Sequence, residues 1–219
     1  MAAVQLIQLK PTVGVDDEKW LKIISGFRSA EGGTGVVWAL QHEDSKIAGI
    51  AACFDTYGHQ QAWAASDAGH KVKDDISVLA SGSIYEDVVL FSEDPLPTIK
   101  ANVVELVSWI HPVDKIDAER EKKVADGFKH FQKAISSEAP EADGGLVAGW
   151  GQVPFDHEGV KSRRFTSLIG WKGVDAHYKC KETRPFLNNI HWLMENDDSG
   201  VEMVHYAYSK SLDGAGTNL

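Results

Sequence analysis

Two stretches of this chain present the same order of apolar and polar segments, and a sequence that spells one unit twice is confined to folds that two copies of that unit can build. The first stretch reads as an apolar strand Val4–Leu9, an amphipathic helix around Trp20 to Phe27, a glycine-led strand Gly35–Trp38, a strand Ile47–Phe54, a helix from about Gly58 and a strand Ile84–Phe91. The second repeats the order with Val104–Trp109, a helix around Glu119 to Ile135, Gly145–Val147, Phe165–Trp171, a helix from about Asp175 and Val201–Tyr208. The offset grows from about 100 to about 116 residues along the repeat, as expected if the second copy has a longer first helix and longer loops. Each copy is therefore expected to fold as βαββαβ, with two helices on one face of a sheet. Two such sheets can cover each other's bare faces, so a single chain carrying both builds internally what a shorter chain builds by dimerising.

The join is placed at Ser92–Thr98, where Pro95 and Pro97 remove backbone donors and are expected to hold an extended linker. The expected domains are residues 1–94 and 95–219. The tail after Ser209 has no apolar period and is expected to be mobile, and Ser136 to Gly145, with acids, a proline and glycines, is expected to be a loop.

Composition narrows the function classes. With 43% hydrophobic and 25% charged residues the chain is an ordinary globular sequence, and no apolar run approaches the roughly 18 residues of a membrane span. Its start lacks a basic segment followed by an apolar core, so the expected compartment is the cytosol, without a membrane partner. A formal charge of −10 argues against nucleic acid, because phosphate binding needs clustered Lys and Arg. The local exception, Lys161-Ser162-Arg163-Arg164, reads as a solvated loop before a strand. Cys53 and Cys180 show neither a C-x-x-C pair nor ligand-spaced histidines and read as buried thiols.

In the helix from Asp117, Val124, Phe128, Phe131 and Ile135 form a stripe at spacings of four, three and four, and Trp20, Leu21, Ile24 and Phe27 do the same in the first copy. Both stripes should lie on sheets. Trp63 and Trp192 read as core residues, with Trp63 also a candidate ligand wall.

Two segments carry a family resemblance. Gly170–Phe186, with Trp171, Asp175 and His177, and Phe54–His70, ending in Ser66-Asp67-Ala68-Gly69-His70, resemble the strand-to-helix signature of the dimeric α+β barrel superfamily. The resemblance covers residues 3–92 and 102–210 and implies an α+β fold of two tandem ferredoxin-like units forming a barrel within one chain. The superfamily includes cofactor-free monooxygenases, polyketide cyclases, haem-degrading enzymes, chlorite dismutase-like proteins and stress-responsive proteins, so fold alone does not select a reaction.

On that resemblance His70 corresponds to the helix-exit histidine that acts as base in the plant polyketide cyclases, where a histidine on the first strand assists. Here the strand position is Gln5, which hydrogen-bonds but exchanges no proton near neutrality. The second copy has Glu105 at that place and no histidine near Phe186 to Asn188. A glutamate within an apolar strand either reaches solvent or becomes a candidate acid or base. Alternation groups Glu105, Val107, Trp109 and His111 on one strand face and Val201, Met203 and His205 on another, so Glu105, His111 and His205 could share a cavity with Trp109. His177, inside the signature, is a further candidate lining residue. The proposed catalytic residues are thus His70 and Glu105, and the candidate substrate contacts are Gln5, Trp63, Trp109, His111, His177 and His205.

The sequence contains no G-x-S-x-G, Walker A, G-x-G-x-x-G or H-E-x-x-H pattern, and Asp156-His157-Glu158 reads as a solvated turn rather than a metal set. The expectation is a cofactor-independent enzyme, with neither metal nor cofactor, acting by proton transfer on a hydrophobic, aromatic or polyketide-like small molecule in one of two unequal pockets, the His70 pocket being favoured because its motif match is closer. The alternatives are a haem-binding or haem-degrading protein using His70 or His177, and a non-catalytic ligand-binding stress-response protein.

Overall fold

The computed structural model describes residues 1–82, 84–138, 142, 145–194, 200–207 and 210–213. The segment Gly214–Asn218, Tyr208 and residues 139–141, 143 and 144 of the expected 136–145 loop lie outside the described residues, while residues 136–138, expected in that loop, are helical. The chain divides into two compact units, Met1–Leu96 with the segment from Tyr206 onward, and Pro97–His205.

The first unit runs β1 (Ala2–Leu9), α1 (Glu18–Arg28), β2 (Gly33–Leu40), β3 (Ala48–Phe54), α2 (Tyr57–Ala64), α3 (Asp67–Leu79) and β4 (Tyr85–Phe91). Its strands pair antiparallel in the order β2-β3-β1-β4, with Gln5 opposite Ala52 on one side and Val88 on the other. Helix α1 starts where Asp17 accepts a hydrogen bond from the Lys19 amide, and it buries Trp20, Ile23, Ile24 and Phe27. Leu21, expected in that stripe, is exposed, because Ile23 is the residue that falls beside Trp20 and Phe27 at 100° per residue. With Trp38, Phe54 and Trp63 these side chains form the core of this unit.

A short helix, α4 (Leu96–Ile99), follows. The extended linker expected from the two prolines is therefore replaced by a helical turn. Asp94 accepts from the Leu96 amide, and Pro97 stands in the first turn, where its missing N–H costs no helical bond.

The second unit contains β5 (Val103–Pro112), α5 (Ala118–Glu138), β6 (Leu146–Gly151), β7 (Phe155–His157), β8 (Val160–Trp171), α6 (Val174–Lys181), α7 (Arg184–Asn189), α8 (His191–Met194) and β9 (Gly200–Tyr206). The order β6-β8-β5-β9 is the one seen in the first unit, and β7 adds a hairpin arm on β8. The expected βαββαβ unit is present twice. Residues 210–213, expected to belong to a mobile tail, instead form a final strand, β10 (Lys210–Asp213), which pairs antiparallel with β2 and so satisfies its backbone groups on that strand. The α5 stripe of Val124, Phe128, Phe131 and Ile135 is buried in a core with Trp109, Phe165 and Trp171. Trp192 is only half-buried and stacks on His130, while its neighbour Leu193 enters the core. Among the described residues no helix is long and apolar enough to cross a membrane.

The basic run is a strand, not a solvated loop. Ser162 and Arg164 are buried within β8, Arg164 bonds Glu202 at 3.1 Å and lies over the Phe155 ring, and Arg163 bonds Glu121 at 3.0 Å. Asp156 and His157 lie in β7, which turns into β8 through Glu158 and Gly159, both at positive φ as a two-residue hairpin turn requires.

Candidate functional site

Alternation along β5 turns Glu105, Val107 and Trp109 to the helix-bearing side of the second unit's sheet. There they meet Trp171 from the end of β8, His177 from α6, Phe131 from α5 and Met203 from β9 around a cavity of about 240 Å³. The walls are almost wholly apolar. Glu105 and His177 supply the polar groups at its base, with the exposed Lys181 at the margin.

Glu105 is 4% exposed, so the option that it reaches solvent does not hold. A carboxylate in such a place is costly unless paired and hydrogen-bonded. Its Oε2 accepts from the Trp171 indole N–H at 2.9 Å and stands 3.6 Å from His177 Nε2. The other ring nitrogen of His177, Nδ1, is 2.8 Å from Nε2 of His205. All three side chains are buried. The imidazole of His177 is held in plane by stacking on Trp171 at 5.1 Å and on Tyr178 at 5.5 Å.

The sequence places these groups together for separable reasons. Glu105 comes from strand alternation and Trp171 from the last residue of β8, whose partner on β5 is Val103. Lys172 and Gly173 turn the chain into α6, placing His177 in the helix beside the strand end, and β9 lies next to β5, which brings in His205. Cys180, one turn after His177, is buried, and burial pushes its thiol up while the Glu105 charge adds to the shift, so it stays protonated near neutrality.

Glu105, His177 and His205 offer one donor atom each within 4.8 Å of one another, which is the donor chemistry of a transition-metal site. His177 and His205 are nevertheless placed for a hydrogen bond to each other. Two nitrogens on a tetrahedral zinc ion lie about 3.3 Å apart at the usual Zn–N length, whereas His177 and His205 approach to 2.8 Å. The contacts of His177 to Glu105 and to His205 also leave from opposite ring nitrogens.

The remaining candidates lie elsewhere. His111 is buried against Trp150, 5.1 Å between ring centroids, outside the cavity. His205 does not line the cavity and stands behind His177. In the first unit, Gln5, Trp63 and His70 line a separate cavity of about 290 Å³. Trp63 is also core, 4.8 Å from Phe27. Gln5 donates to Glu86 Oε1 at 2.6 Å and accepts from Gln60 at 3.3 Å. Glu86 was not singled out from sequence, although it and Gln5 fall on one sheet face once the β1–β4 register is known. His70 is exposed and does not leave a helix. Helix α2 ends at Ala64, Ser66 caps α3 by accepting from the Gly69 amide, and His70 sits in the first turn of α3.

No family model and no curated protein matches this chain. Solved structures share its fold over nearly its whole length. An anthrone oxidase-like protein superposes with a TM-score of 0.66 at 12% identity, covering 100% of this chain and 95% of its own. A candidate monooxygenase of Lactobacillus acidophilus gives 0.60 at 8% identity over 97% and 96%. A candidate chlorite dismutase gives 0.56 at 10% identity over 95% of each chain.

Proposed function

We propose that the protein is a cofactor-independent enzyme that moves a proton on an apolar, enolisable small molecule bound in the second-unit cavity. The observation that carries this reading is the buried Glu105 carboxylate beside His177 in an otherwise apolar cavity. A carboxylate removed from bulk water, with one oxygen held by an indole N–H, is suited to take a proton from a carbon acid. The adjacent imidazole can stabilise the resulting charge or pass the proton on, and the aromatic walls exclude competing water. Cyclisation, dehydration, isomerisation and direct oxygenation of an enolate all begin with that step. The names of two fold relatives, a candidate monooxygenase and an anthrone oxidase-like protein, agree with small-molecule chemistry of this type.

Haem fits the second unit poorly, because His177 has one ring nitrogen on His205 and directs the other at Glu105, leaving neither for an axial bond. Adding haemin is expected to give no saturable Soret shift. The proton-transfer reading is tested by deuterium exchange at the α-carbon of 2-tetralone, a bicyclic enolisable ketone, followed by NMR in D2O. Glu105→Gln is expected to lower exchange by about 10²–10⁴-fold, with His70→Ala close to wild type. Loss in His70→Ala alone would transfer the site to the first unit. Saturable tetralone binding without exchange would make this a ligand-binding protein.

A further inference from the structure

We infer that His205 is a positioning residue, which donates its Nε2–H to Nδ1 of His177 and thereby fixes His177 as the tautomer whose Nε2–H faces Glu105. This rests on the proton-transfer reading above only for its catalytic consequence.

The assignment follows from donor and acceptor capacity. An ionised carboxylate repels a nitrogen lone pair, so the imidazole nitrogen nearest Glu105 Oε2, at an ion-pair distance of 3.6 Å that is longer than a hydrogen bond, is assigned the proton. A neutral imidazole has one N–H, which leaves Nδ1 of His177 as the acceptor. The atom 2.8 Å from it, His205 Nε2, must then be the donor. A His177 imidazolium would instead donate from both ring nitrogens and make His205 the acceptor, so a His177 found protonated at both nitrogens would overturn the assignment. Without His205, only the longer 3.6 Å contact to Glu105 favours the Nε2 proton of His177, and a shift of that proton to Nδ1 would turn a lone pair toward the carboxylate. The tautomer of a functional histidine is set by the partner of its other nitrogen, and here that partner comes from β9.

Position separates this role from substrate contact. His205 is outside the cavity lining, whereas Glu105 and His177 are in it. Removing His205 should therefore act on turnover more than on binding.

The experiment uses full-length protein with ¹⁵N-labelled histidine. Long-range ¹H–¹⁵N spectra near neutral pH are expected to show His177 protonated at Nε2 and bare at Nδ1 in wild type and in His205→Gln, whose amide N–H replaces the donor. In His205→Phe a tautomer mixture is expected. In the tetralone exchange assay His205→Phe should lower kcat by roughly 10- to 100-fold, the range for losing a group that orients an imidazole. Its KM should stay near wild type, and His205→Gln should recover most of the rate. Wild-type His177 protonated at Nδ1, or an unchanged tautomer in His205→Phe, would overturn the proposal. Stoichiometric Zn(II) or Co(II) binding lost in His205→Phe would also overturn it, by putting an ion in place of the shared proton. If the spectra agree but wild type exchanges no tetralone proton, the tautomer assignment stands and the proton-transfer reading fails.

Discussion

At the scale of single residues, the second-unit site depends on how one buried carboxylate is compensated. Trp171→Phe keeps the ring stack but removes the indole N–H that meets Glu105 at 2.9 Å. Leaving a charged acceptor short of a donor should cost about 1.5–3 kcal/mol, read by chemical denaturation. A second residue pair gives a pH test outside both cavities. Asp55 and His59, 2.5 Å apart and both well exposed, hold each other charged: the hydrogen bond to Asp55 raises His59, and the same bond lowers Asp55. The pair's contribution is therefore present between the two shifted values. It is lost as pH rises through the raised His59 value and as pH falls through the lowered Asp55 value. The stability difference between wild type and His59→Gln should shrink from pH 6 toward pH 9, and a difference that grows over that interval would contradict the assignment. Glu105 could be picked out in sequence because a carboxylate interrupts an apolar strand. Its partners could not, since nothing local links it to Trp171, 66 residues away, or to His205.

At the scale of elements, periodicity located the strands and main helices, but their ends were set by side-chain caps. Ser66 is the clearest case: sequence suggested one helix running to His70, whereas its hydroxyl ends the preceding turn by donating to the Trp63 carbonyl and starts α3 by accepting from Gly69. Ser66→Ala should destabilise the protein by about 1 kcal/mol, measured as a shift in denaturant midpoint at constant slope. The turn between α2 and α3 is also tight. A Cβ at Gly69 would lie 2.1 Å from the Trp63 carbonyl oxygen, so Gly69→Ala should be more damaging than Ser66→Ala despite the better helix propensity of alanine. The α4 turn and the buried Arg164 of β8 were missed for a related reason. Pro97 and Arg164 were read from composition, while the α4 turn depends on Asp94 accepting from the Leu96 amide and the burial of Arg164 on its pairing with Glu202.

At the scale of the whole molecule, the same strand order occurs in both units, and the chain from Tyr206 onward belongs to the first of them. Removing residues 207–219 takes β10 from the edge of β2. Thermal melting should fall by roughly 2–4 °C for each kcal/mol lost, while tetralone exchange by the second unit is retained. Loss of exchange on truncation would assign a catalytic contribution to that segment. The duplicated α+β plan was legible in the sequence because strand alternation, helical stripes and element order are local patterns, repeated in every fold that buries them. Glu105 was legible as a carboxylate in an apolar strand, and His177 only through its place in the strand-to-helix segment that resembles a family signature. What only the tertiary structure decided is their meeting: antiparallel register carries Trp171 to Glu105, and the placement of β9 beside β5 carries His205 to His177. Contacts of that kind depend on which strands become neighbours after distant segments fold, and no local period in a sequence encodes that choice.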